Sequence, residues 1–160
     1  MNPPYWLFLF DFALVFYVLG ATFLEGFVNY RTWHLIGAAE FRAYHQAVSP
    51  RILAFLVAPH SLTLVLTFLL LWWRPGPIPL WSVWVSLALN LVPVLVTIVS
   101  QVPIQLEFDR KGLSLTSLER LIRREWLRSV PHSLNAILFL WMMSQVLAAE
   151  SCFRGAACGV

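Results

Sequence analysis

The chain has 160 residues, of which 59% are hydrophobic and only 12% charged, and its mean hydropathy is +0.73. Soluble domains carry about 25% charged residues, so this composition excludes an ordinary soluble domain and places residues 1–160 in a single membrane domain. The net charge of +3 is modest, and no basic run is interleaved with aromatics in a polar context, which argues against nucleic acid as a partner.

In chain order, four stretches reach the roughly 20 apolar residues that a spanning helix needs: residues 6–27, 52–73, 81–104 and 130–149. The first is read as a span and not as a cleaved leader, because MNPPYW has no Lys or Arg and Asp11 interrupts the apolar run. Asp11 is expected to pair with Tyr5 or Ser82, or to be protonated. Tyr5, Trp6, Tyr30, Trp33, Trp72, Trp73, Trp81, Trp84 and Trp126 mark span ends, where amphipathic rings prefer the headgroup depth. Between spans two and three, RPGPIP (residues 74–79) cannot continue a helix and predicts a tight hairpin.

The other two linkers, residues 28–51 and 105–129, hold nine of the eleven basic residues: Arg31, Arg42, Arg51, Arg110, Lys111, Arg120, Arg123, Arg124 and Arg128. The positive-inside rule then puts both linkers in the cytoplasm and both termini outside. Each linker also shows helical periodicity. Phe41, Tyr44, His45 and Val48 share one face, with Ser49-Pro50 expected to end that helix. Ser114 or Thr116 is expected to cap a second helix with a stripe of Leu118, Leu121, Ile122 and Trp126. The expected architecture is an all-α, up-down four-helix membrane bundle with short interfacial helices in the cytoplasmic linkers. The charges of Glu119, Arg120, Arg123, Arg124, Glu125 and Arg128 read most simply as a solvated surface. Cys152 and Cys158, in the tail of residues 150–160, are either a small disulfide loop or two unpaired thiols.

Depth brings polar residues together. Glu25, His34, His45, His60, Gln101, Gln105, His132 and Asn135 all fall toward the cytoplasmic ends of the spans or in the first linker. Ionisable groups in or near lipid are costly and mark sites by default. His34, next to Trp33, also suits a simple headgroup contact. Two or three imidazoles with a carboxylate suit zinc, non-haem iron or copper, with His45, His60 and His132 as the ligands. Two imidazoles from different helices suit a haem. Without a metal, the same histidines and Glu25 would handle protons, with Gln101, Gln105 and Asn135 binding substrate. No HxxxH or HExxH spacing is present.

The runs WHLIGAAEFRAYHQAVSPRI and VAPHSL, then TIVSQVPIQLEFDRKG (residues 97–112) and REWLRSVPHSLNAIL (residues 124–138), resemble small bacterial four-span membrane proteins of the anthrone-oxygenase-like class. The resemblance covers the layout of most of residues 10–145. It implies a four-helix bundle in a bacterial inner membrane and, as in some members, oxygenation of a polycyclic phenolic substrate. Carried over by position, His45, Gln101 and His132 are the residues it implicates.

The resulting expectation is an oxidoreductase or oxygenase acting on an aromatic or quinone-like molecule drawn from the lipid. The alternatives are a non-catalytic accessory subunit or assembly factor of a larger membrane complex, or a haem-binding electron-transfer bundle. A homo-oligomer or a membrane-protein partner fits each of them.

Overall fold

The computed structural model describes residues 3–156, with side chains through Ser151. The pairing of Cys152 with Cys158 lies outside the described side chains. Four long helices account for almost everything: α1 (Pro3–Leu35), α2 (Ala38–Leu69), α3 (Leu80–Lys111) and α4 (Leu115–Ser151, with the helix continuing to Ala156). Each is long and apolar enough to cross a membrane, and no strand occurs among the described residues. Each helix packs on the next in sequence, and α4 closes the ring against α1, giving an up-down bundle.

The helices run well past the apolar stretches. At 1.5 Å per residue, the 33 residues of α1 extend about 50 Å, against a hydrocarbon thickness of about 30 Å. The overhang is at the end that carries the basic linkers, called here the basic end. The helices expected in those linkers are present, and they run on from the spans. Ile36 and Gly37 alone separate α1 from α2, and residues 112–114 separate α3 from α4. Gly112 makes the second corner with φ 79° and ψ −164°, a conformation open essentially to glycine. Ser114 then caps α4, its Oγ accepting from the Ser117 amide at 3.4 Å. At the opposite end the proline-rich turn forms as expected, with Arg74 donating to the carbonyls of Ile78 and Leu71.

Ser49-Pro50 does not end a helix. Pro50 sits inside α2, and nearby carbonyls find other donors: Arg51 Nη1 bonds Ala47 O at 2.6 Å, and Ser49 Oγ bonds His45 O at 2.8 Å. Three of the helices also widen into a π-helical turn, at Leu24–Asn29, Leu53–Val57 and Thr97–Gln101. In α2 and α3 a proline follows two residues after the turn, Pro59 and Pro103 respectively, and removes a further amide donor. The fourth helix breaks its regular hydrogen bonding at Glu125.

The inward face of α4 shows how the interior is layered. Leu118, Leu121, Glu125, Arg128, His132, Asn135, Phe139, Met142 and Val146 alternate by three and four residues, and all are buried. That is the seam of a left-handed bundle. It is apolar at both ends and polar for four consecutive positions in between. The apolar ends belong to two separate cores. One, at the basic end, packs Tyr30, Trp33, Phe41, Ile104, Phe108, Leu118 and Leu121. The other packs Phe8, Val15, Leu70, Ile78, Val83, Phe139 and Met142. Between them lies a polar layer at the level of the π-turns.

Candidate functional site

A cavity of about 510 Å³ opens in that layer, between α1, α2 and α3, with Arg128 of α4 reaching it. Its apolar wall includes Leu53, Leu56, Val57, Val94 and Leu106, and its polar wall includes Glu25, His45, His60, Gln101, Gln105 and Asp109. The π-turns place much of this. Glu25, Leu56 and Gln101 each lie within one, and the extra residue per turn re-aims the side chains that follow. Widened turns of this kind recur at functional sites.

His45 is the most constrained side chain of the set. It is 2% exposed. Its ring lies in an aromatic cage, stacked at 5.8 Å on Phe41 and in edge contact with Trp33 and Phe108. Both nitrogens are engaged by the facing helix α3. Nδ1 lies 2.7 Å from Asp109 Oδ1, and Nε2 lies 2.6 Å from Gln105 Oε1. As placed, the ring faces two oxygen acceptors, which suits an imidazolium. If the Gln105 amide turns over, its NH₂ group serves a neutral ring whose proton is on Nδ1. The two orientations of the Gln105 amide therefore match the two forms of the ring. Gln105 Nε2 also reaches Tyr30 OH at 3.5 Å.

A second group ties α3 to α4. Gln101 Nε2 donates to Glu125 Oε2 at 2.9 Å, Arg128 donates to Gln101 Oε1, and the Arg128 guanidinium lies 3.6 Å from Glu125. Glu125 and Arg128 are 4% and 6% exposed, which corrects the reading of the whole charged cluster as solvated. Only the flanking Glu119, Arg120, Arg123 and Arg124 are exposed. The reason is phase: Glu125 and Arg128 continue the buried stripe of Leu118 and Leu121. On α1, Glu25 accepts from Asn29 Nδ2 at 2.7 Å, and Gly26 leaves the space that the Glu125 side chain fills.

The chain matches no protein-family model, no curated protein and no solved structure. The geometry therefore stands alone.

Glu25, His45, His60, Gln101 and Gln105 line one cavity, as their depth in the sequence anticipates. His132 stands behind it, its ring in edge contact with His60 at 4.7 Å between centroids. Asn135 is buried one turn deeper, its Oδ1 without a partner among the described residues. His34 is exposed, away from the group. Among the described residues no three of His, Cys, Asp and Glu gather into a metal-ligand set, so the expected triad of His45, His60 and His132 is not assembled. His45 is bound to Asp109 and Gln105, while His60 and His132 touch each other. Their ring contact also leaves no room for a haem plane between that pair.

Asp109, Glu125, Arg128 and Tyr30 are site residues that sequence reasoning missed. The first three lie in stretches that read as solvated linker. A usable signal was present for two of them, since residues 118, 121, 125, 128 and 132 keep the spacing of one helix face. Asp109 lies one helical turn after Gln105, and only the tertiary approach of α2 reveals it. Asp11 also pairs differently from expectation. Its Oδ2 accepts from Thr67 Oγ1 at 2.8 Å, while Ser82 bonds the Pro79 carbonyl. Asn90 joins the same knot through Thr67 at 3.5 Å.

Proposed function

We propose that this chain is an integral membrane oxidoreductase of the oxygenase type, acting on a flat aromatic or quinone-like molecule that reaches the cavity from the lipid. The observation that carries this reading is His45. It is an imidazole held by a carboxylate and an amide at the wall of a largely apolar cavity, where a general base for a ring substrate would be placed. The resemblance to anthrone-oxygenase-like proteins points the same way. The nine linker cations support an orientation with the basic end in the cytoplasm, and the resemblance implies a bacterial inner membrane.

In this reaction His45 takes a proton from an activated C–H or phenolic O–H as the Gln105 amide turns aside, and Asp109 stabilises the imidazolium that forms. Arg128, whose side chain reaches the cavity, is the cation available to the negative charge that develops on the ring oxygen. For anthrone, the carbanion combines with O₂ and the peroxide is protonated. Loss of the second C–H proton then expels hydroxide, so that anthrone plus O₂ gives anthraquinone plus water. Glu25, on the same wall, supplies or accepts the second proton.

Oxygen uptake tests the proposal, with the protein in lipid nanodiscs and anthrone as substrate. Uptake above that of empty discs is expected, and His45→Ala should lower kcat by about 10²–10⁴-fold. Wild-type protein that neither binds anthrone nor consumes oxygen would refute the reading.

A second reading, an accessory subunit or assembly factor, is favoured by the Glu125–Gln101–Arg128 group, whose hydrogen bonds run between α3 and α4. That is what a purely structural tie between helices would show. It predicts stable partner subunits on mild-detergent purification and no binding of ring compounds.

A further inference from the structure

The cavity does not end at Glu25. A second hollow of about 480 Å³ lies on the outer face of α1 and α2 and shares Glu25, Ile52 and Leu56 with the first. We propose that this groove holds the hydrocarbon tail of a substrate whose ring occupies the cavity, which makes the substrate an isoprenoid- or alkyl-tailed ring compound. The inference rests on the reading of the cavity as a ring-binding site.

Four features carry it. The groove adjoins the cavity across those three shared residues, so a tail attached to a ring in the cavity has the groove as its nearest apolar surface. Its walls are apolar apart from Tyr17 and Glu25, and its rim faces outward in the apolar stretches of both helices. Leu24 is 63% exposed there and Phe55 66%. Gly20 forms part of the floor, and a Cβ built on it would meet nothing within 4 Å, so the hollow is open where a side chain would otherwise stand. Finally, Tyr17 OH donates to the Phe55 carbonyl at 2.8 Å and ties the two walls together. That carbonyl is the one that Pro59, four residues on, leaves without its usual helical donor. The tie lets α1 and α2 stand apart at their π-turns without exposing an unpaired backbone oxygen to lipid.

A protein helix on this face would cover the rim but could not follow the groove in to Glu25. An extended hydrocarbon chain can. The polar junction at Glu25 also sets the direction, with the ring inward and the tail outward along the bilayer.

The test compares menadione with menaquinone-4, the same ring carrying four isoprene units, in quinone-free nanodiscs. Wild-type and Gly20→Leu proteins are measured by equilibrium binding. Leucine at position 20 puts a side chain into the groove from a position where its Cβ meets nothing within 4 Å, and it raises helix propensity. The expected result is a loss of about tenfold or more in menaquinone-4 affinity, with menadione unchanged within about twofold. Tyr17→Phe should weaken the tailed ligand alone, by a few-fold. Equal binding of menaquinone-4 by wild type and Gly20→Leu overturns the tail assignment and leaves the cavity reading intact. Loss of both ligands in Gly20→Leu with unchanged circular dichroism overturns it too, because the groove would then be part of the ring site. Failure of wild type to bind either ligand refutes the cavity reading and this inference with it.

Discussion

At the scale of single residues, buried polar side chains find partners on their own helix, as Glu25 does in Asn29, or across helices, as His45 does in Gln105 and Asp109. Asp11 is fully buried, with Oδ2 bonded to Thr67 and Oδ1 without a partner among the described residues. Thr67→Val removes that bond and the longer one from Asn90, and should lower stability by about 1 kcal/mol, the scale of interhelical hydrogen bonds in membrane bundles. Unfolding in mixed micelles with added dodecyl sulfate measures it. For the His45 dyad the expected pattern differs. Asp109→Asn keeps the shape but removes the charge that would hold an imidazolium, so kcat for oxygen uptake should fall about 10²-fold or more while ligand affinity stays within a few-fold. Equal losses in His45→Ala and in binding would instead mark the dyad as structural. Much of this site was legible because an imidazole, amide or carboxylate stands out in an apolar run, as Glu25, His60 and Gln101 do. Asp109 and Arg128 were not, because a charge inside a charged linker looks solvated until the helix that carries it is found to extend past the membrane.

At the scale of the helices, two irregularities have separable consequences. Gly112 holds a backbone conformation that a Cβ disfavours, so Gly112→Ala should cost about 1–3 kcal/mol in the same unfolding assay. The π-turn at Thr97–Gln101 takes up one extra residue, since five π residues turn the chain about as far as four α residues. Deleting Val99, which is 75% exposed, should therefore close it to regular helix with Gln105 and Asp109 still facing His45. Helicity by circular dichroism should hold, and ring-compound binding should weaken because Gln101 leaves its place in the widened turn. The number of helices and the hairpin at residues 74–79 follow directly from hydrophobic run length and proline chemistry. The π-turns do not, since hydropathy carries no information about one extra residue in a turn, and Pro50 misleads because its helix runs on through it, with Ser49 and Arg51 bonding the neighbouring His45 and Ala47 carbonyls.

At the scale of the whole molecule, the proposed orientation makes a plain labelling prediction. In a chain whose Cys152 and Cys158 are replaced, a membrane-impermeant maleimide applied to intact spheroplasts should label Gly76→Cys and not Thr116→Cys, and the reverse pattern would invert the topology. The bundle itself is layered in the order aliphatic–aromatic core, polar room, aromatic core. Such a room, sealed above and below and leading sideways toward hydrocarbon by way of the Gly20 groove, sorts molecules by ionisation. A phenolate or peroxide anion finds no route out, whereas an uncharged quinone dissolves in the surrounding oil. Release of finished product would then need no moving gate, only the loss of charge that accompanies the last chemical step.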